Sequence, residues 1–148
     1  MSDDQVQRLA DIEEIGRLKA RYCRCIDTKD WDGYGALVTD DFHAVTDSGV
    51  HDGRDAVVSY LSNALGNAVT VHHVHQPEVT FTAPDRAEVI WAMEDYVEIP
   101  LGETSFVLRG YGHYHEDYVR TADGWRMQRT ELKRLRVDTE GGAPSAAE

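Results

Sequence analysis

The chain has 148 residues, with 27 Asp or Glu against 15 Lys or Arg, a formal charge of -12 at pH 7. That surplus of negative charge repels phosphate backbones and anionic bilayers, so neither nucleic acid nor a membrane surface is an expected partner. With 41% hydrophobic and 28% charged residues, the composition is that of one soluble globular domain and not of a disordered or collagenous chain.

From Val6, the residues Leu9, Ile12, Ile15, Leu18, Tyr22 and Ile26 recur at steps of three and four. This is one face of an amphipathic helix that ends near Asp27 to Asp32. A short helical stretch follows over Trp31 to Val38, then a brief strand at Phe42 to Val45. Asp52-Gly53-Arg54-Asp55 leads into Ala56, Val57, Tyr60, Leu61 and Leu65, a third helix closed by Gly66.

Beyond Gly66 the pattern turns to runs rich in Val, Thr, Tyr, Phe and Trp: Val69 to Thr82, Ala87 to Ile99, Phe106 to Val119 and Trp125 to Val137. Short turn signals separate them, around Pro84-Asp85, Leu101-Gly102 and Asp123-Gly124, as in an antiparallel meander. Helices followed by a meander predict an α+β fold, a cone-shaped curved antiparallel sheet with three N-terminal helices enclosing a hydrophobic pocket. The domain is expected over 1–138, with a disordered tail over 139–148.

The acidic start, Met1-Ser2-Asp3-Asp4, has neither a basic nor an apolar leader segment, and no apolar run approaches the roughly 20 residues that span a bilayer. A cytoplasmic location is therefore expected. Cys23 and Cys25 are one residue apart on a helix, where side chains diverge, and read as reduced thiols near the core.

On the second long strand, Val89, Trp91, Met93, Asp95, Val97 and Ile99 share one face by alternation. Asp95 thus stands on the more apolar face, where a carboxylate needs a partner. A hairpin turn centred between Ala83 and Pro84 places His72 opposite Asp95, with opposed side chains about 5 Å apart. A carboxylate on one imidazole nitrogen leaves the other to move a proton, which makes His72 and Asp95 a candidate general acid–base dyad. A polar pair that merely closes the sheet is the competing reading, and a one-residue slip would substitute His73.

Trp91 and Met93 are expected to wall a hydrophobic substrate cavity. Tyr22, a phenol on the buried helix stripe, calls for a polar partner or a ligand. The run His72-His73-Val74-His75 and the pair His113 and His115 raise a metal site, but no ligand spacing completes one, and surface histidines are preferred. There is no G-x-G-x-x-G, P-loop or G-x-S-x-G motif, which leaves cofactor-free proton chemistry open. Gly110 and Gly112 read as a bend in the third long strand.

Taken together, Tyr22-x4-Asp27, Leu37-Val38-Thr39-Asp40-Asp41-Phe42, Gly53-Arg54-Asp55-Ala56, Thr70-Val71-His72, Trp91 to Tyr96, Gly110 to Val119 and Asp123-Gly124-Trp125-Arg126 form a familiar pattern. From Val6 to Val137 the chain resembles the SnoaL-like group of the nuclear-transport-factor-two-like superfamily. The resemblance implies a cone-shaped α+β fold, often dimeric through the outer sheet face, so a homodimer or higher homo-oligomer is expected.

The pattern is most similar to that of scytalone dehydratase and bile-acid 7α-dehydratase. It implies that Tyr22 and Asp27 are the helix-one tyrosine and aspartate, that His72 is the strand histidine and that Asp95 is its carboxylate partner. Tyr114, a candidate substrate-binding residue, falls near the place where scytalone dehydratase has a polar asparagine. The expected activity is loss of water from a hydrophobic cyclic hydroxy-carbonyl compound without a cofactor. His72 would act as base, Asp95 would orient it, Tyr22 would polarise the carbonyl and Asp27 would position Tyr22 or a water. A double-bond isomerase, a cyclase, an epoxide hydrolase or a non-catalytic binding or dimerisation module would use the same pocket, since fold alone does not select among them.

Overall fold

A computed structural model describes residues 1–142. Helix α1 spans Asp3–Thr28 and opens with a capping box: the Ser2 hydroxyl receives the Gln5 backbone N–H, and the Gln5 side chain receives that of Ser2. Helix α2 spans Trp31–Gly35, β1 Val38–Thr46, β2 Gly49–Asp52 and α3 Arg54–Leu65. The long strands are β3 Val69–Ala83, β4 Arg86–Leu101, β5 Thr104–Thr121 and β6 Gly124–Gly141. Among the described residues no helix is long and apolar enough to cross a membrane.

All six strands form one curved open sheet in the order β2-β1-β6-β5-β4-β3. Only the β1–β6 pair is parallel; these strands lie far apart in the chain, with β2, α3 and β3 to β5 between them, so no hairpin constrains their direction. The α+β architecture with three helices ahead of the meander is thus present. Three details differ from expectation. α2 ends at Gly35 so that Val38 begins a nine-residue β1, and β1 turns back at Asp47-Ser48 into an unexpected β2. The last strand runs past residue 138: Thr139, Glu140 and Gly141 pair with Leu108, Val107 and Phe106, while 143–148 of the expected tail lie outside the described residues.

The buried face of α1 is also displaced from the apolar stripe. Val6 and Leu9 are more than half exposed, whereas Asp11 and Lys19 are fully buried. Each buried charge is paired. Arg120 donates to Asp11 Oδ1 at 2.6 Å, and Lys19 Nζ donates to Glu116 Oε2 at 2.8 Å. The core beneath the helix contains Ile15, Leu18, Phe42, Trp91, Met93, Trp125 and Met127. It fills one end of the cone, and at the other end the last turns of α1, together with α3, cover a cavity.

Candidate active site

The cavity has a volume of about 210 Å³ and lies between Tyr22 and Ile26 of α1, Leu61 and Leu65 of α3, and the inner face of the sheet. Its apolar wall continues through Val97, Ile99, Phe106, Leu108 and Leu132. The polar groups that face it are few: Tyr22, His72, Asp95, Tyr114, Thr130 and Arg134, with Thr46, Asp47 and Ser48 at the β1–β2 turn and Tyr60 of α3. An apolar hollow with a handful of converging polar groups is the usual form of a small-molecule site.

His72 does face Asp95 across the β3–β4 hairpin, by a route that strand counting could not supply. The turn sits at Pro84 and Asp85, one residue later than expected, which by itself would bring Val97 opposite His72. Two irregularities on β3, between Phe81 and Ala83 and between Val74 and Pro77, each insert one extra residue and restore the pairing. Pro77, which has no N–H for the ladder, marks the second.

Register does not make the two a dyad. His72 Nε2 and Asp95 Oδ2 are 4.0 Å apart, outside hydrogen-bond range. The imidazole is held by Asp27 instead: Nδ1 lies 2.7 Å from Asp27 Oδ1, and the His72 backbone N–H donates to Asp27 Oδ2 at 2.9 Å. Thr70 Oγ1 donates to Asp27 Oδ1 at 3.0 Å. An ionised carboxylate only accepts, so Nδ1 carries the proton and Nε2 is left unprotonated in the neutral ring. Burial pulls the Asp27 carboxyl upward, but the hydrogen bonds from the His72 ring and backbone and from Thr70 outweigh it and hold its pKa below the ordinary value.

Two expected roles are therefore corrected. Asp27, expected to position Tyr22 or a water, bonds to His72, because α1 ends beside β3 and directs the carboxylate at the strand. Asp95 orients Arg134 and not His72. The Arg134 guanidinium grips Asp95 with Nη1–Oδ1 at 2.6 Å and Nη2–Oδ2 at 3.0 Å, and its Nε donates to Asp47 Oδ2 at 3.0 Å. Burial works against the arginine's charge, yet the two carboxylates raise its pKa above the usual arginine value. Gly110, opposite Asp95 in register, leaves the space this pair occupies: a Cβ there would collide with Arg134 Nη1 and Asp95 Oδ1.

Trp91 and Met93 are corrected as well. They share the inner face with Asp95 but lie toward the closed end, in the core, and do not line the cavity. Trp91 Nε1 donates to the Tyr118 hydroxyl at 3.3 Å. The cavity begins at Asp95 and is walled by the residues that follow it on β4, Val97 and Ile99.

Tyr22 and Tyr114 both reach the cavity, their ring centroids 6.2 Å apart in an edge-on arrangement. Lys19 Nζ sits behind them, 3.7 Å from the Tyr22 ring centroid and 3.8 Å from that of Tyr114. Its partner Glu116 also accepts from Tyr118 at 2.8 Å and Thr130 at 2.7 Å, so the buried ion pair has no unmet oxygen. Burial pushes both cavity phenols well above the ordinary tyrosine value, which keeps them protonated as donors. Cys23, buried nearby, is pushed up to about 11 by desolvation and is a poor nucleophile.

Sequence reasoning assigned no site role to Arg134, Lys19, Glu116, Thr70 or Lys29. A pairing irregularity between β5 and β6 near Tyr118 shifts the parity of β6, so that Met127 faces inward above it and Thr130 and Arg134 below it. The usable signal was chemical: a carboxylate on the apolar face of β4 demands a cation, and β6 carries several. His73 points outward, with Glu94 3.6 Å away, and among the described residues no group of three or more His, Cys, Asp and Glu is arranged to hold a metal ion.

Comparison with known proteins agrees with the architecture. The SnoaL-like domain family matches residues 7–131. A protein of Gibberella zeae named "Probable cyclase FGR4" is 27% identical over 133 residues, covering 82% of this chain and 89% of its own. The crystal structure of hexachlorocyclohexane dehydrochlorinase LinA-type3 from Novosphingobium barchaimii superposes with a TM-score of 0.79 at 16% identity, covering 97% of this chain and 99% of that one. The Kfla4162 protein of Kribbella flavida gives 0.78 at 24% identity, with 88% and 95% covered.

Proposed function

The chain belongs to the SnoaL-like domain family, and from that premise we propose that it is a cofactor-independent lyase that removes water from a hydrophobic cyclic hydroxy-carbonyl compound. The observation that carries the proposal is the orientation of His72. Its Nδ1–H is fixed by Asp27, and its ring is part of the wall of an apolar cavity whose polar groups include the hydrogen-bond donors Tyr22 and Tyr114.

In this reading Nε2 of His72 takes the proton from the carbon next to the carbonyl. The electron pair of that C–H bond forms the new C=C bond as the C–O bond to the hydroxyl breaks. The imidazolium then returns its proton to the departing oxygen, so one molecule of water leaves and the enzyme is regenerated. Asp27 stabilises the transient imidazolium, a charge-assisted bond stronger than the neutral one. Tyr22 and Tyr114 donate to the substrate carbonyl, where negative charge develops. A well-placed acid–base group contributes typically about 10² to 10⁴ in rate.

The test is incubation of the purified protein with a panel of β-hydroxy ketones on one and two rings, monitoring the ultraviolet absorption of the conjugated product. Dehydration by the parent and its loss in His72→Gln support the assignment; absence of dehydration across the panel rejects it. A cyclase is the second reading, favoured by the Gibberella zeae relative. There the carbanion formed by His72 attacks a second carbonyl of the same molecule, and the first product retains the mass of the substrate.

A further inference from the structure

The end of α1 adopts a conformation that its residue type disfavours. Lys29 has φ 62° and ψ 30°, and among the described residues it is the only one besides glycine with a positive φ. Glycine commonly ends helices in this conformation because it has no Cβ, whereas other L-residues meet a steric penalty. A strained residue beside a candidate site invites the question of what its side chain does there.

The Lys29 ammonium reaches back to the site. Nζ donates to Thr70 Oγ1 at 3.0 Å, and Thr70 in turn donates to Asp27 Oδ1 at 3.0 Å. That same oxygen lies 2.7 Å from His72 Nδ1. Chains of this kind polarise one another, so a cation at one end strengthens the donor at the next link. Two charged clusters flank His72. From β4 comes Asp95, paired with Arg134 of β6, which also holds Asp47 of the β1–β2 turn; from α1 comes Asp27, with the Lys29 ammonium beyond Thr70.

We infer that Lys29, acting through Thr70, is a positioning residue that orients Asp27 and offsets its charge, so that His72 is held by a carboxylate without being locked in its protonated form. The inference rests on the reading of His72 and Asp27 as the acid–base pair. A carboxylate bonded to an imidazole favours the cation, while a base must be neutral before it can accept a proton. Lys29 opposes that bias by placing a positive charge on the far side of the same carboxylate.

The experiment measures the imidazole nitrogen resonances of His72 in ¹⁵N-labelled protein at pH 7, alongside thermal melting. Lys29→Met and Lys29→Gly should each raise the ratio of protonated to neutral His72 about threefold or more, the size expected for losing a nearby partly screened charge. Lys29→Arg, which keeps the charge, should hold the parent ratio. Lys29→Gly should melt no lower than the parent because it relieves the backbone strain. An unchanged ratio in Lys29→Met, or an equal change in Lys29→Arg, overturns the inference. Asp27→Asn, which should lower the ratio, separates the two readings: if it acts and Lys29→Met does not, only the role of Lys29 falls. If neither acts, the pair itself falls with it.

Discussion

His72 and Asp95 are register partners across the β3–β4 hairpin, yet His72 Nε2 stays 4.0 Å from Asp95 Oδ2 because each side chain has a closer partner. His72 is bound to Asp27 of α1 and Asp95 to Arg134 of β6. The site is thus two hydrogen-bonded units side by side, one of them the Asp95–Arg134 ion pair, and substitutions in them have separable consequences.

Asp27→Asn leaves His72 without its anion and replaces an acceptor by a group that also donates. The dehydration rate of this variant should fall by about 10²-fold or more. His72→Ala removes most activity, and its circular dichroism spectrum remains that of the parent. Near-normal turnover of either variant on a substrate of the parent would contradict these roles.

Acid should weaken the fold through Asp27. Its native pKa is depressed by the bonds from His72 and Thr70, so its contribution to stability is fully present above the unfolded carboxylate value of about 3.9 and is lost as pH falls through the native one. Urea midpoints between pH 6 and 2.5 should therefore fall more steeply for the parent than for Asp27→Asn. Parallel curves would show that the carboxylate is not coupled to folding.

Two glycines should respond to alanine in opposite directions. At Gly110 the added methyl meets Arg134 Nη1 and Asp95 Oδ1, so Gly110→Ala is expected to cost about 1–3 kcal/mol and to disturb the cavity. Gly16, inside α1, has no atom within 4 Å of the added Cβ. Gly16→Ala should stabilise the protein by about 0.5–1 kcal/mol through helix propensity alone. Chemical denaturation of both variants checks the pair.

The Lys19–Glu116 bridge has both side chains fully buried. Lys19→Met strands an uncompensated carboxylate and should cost about 3–5 kcal/mol. The double variant with Glu116→Gln should be less destabilised than Lys19→Met alone, since no buried charge remains. Equal losses in the single and double variants would show that the ion pair is not what the core requires.

The reach of the sequence can be judged from β4. Alternation correctly put Val89, Trp91, Met93, Asp95 and Val97 on the inner face, because a strand's side chains have a period of two whatever the fold. Depth along that face is another matter: it depends on how the helices dock on the sheet, and Trp91 and Met93 lie in core and not in cavity. The His72–Asp95 pairing was legible only because the shifted turn and two bulges cancel. Asp27 was recognisable as a site residue by resemblance, but its bond to His72 joins residues 45 positions apart and needs the docking of α1 on β3. Lys19 gives no signal in the sequence, since lysine is seldom buried; only a partner on another element, Glu116, makes its burial possible.

The most direct test of His72 as the base is the kinetic isotope effect on dehydration of a cyclic β-hydroxy ketone deuterated at the carbon between the carbonyl and the hydroxyl-bearing carbon. If His72 removes that proton, the deuterated compound reacts more slowly with the parent enzyme, and His72→Gln abolishes the enzymatic rate for both compounds. Equal loss of water by the parent and His72→Gln would contradict the assignment.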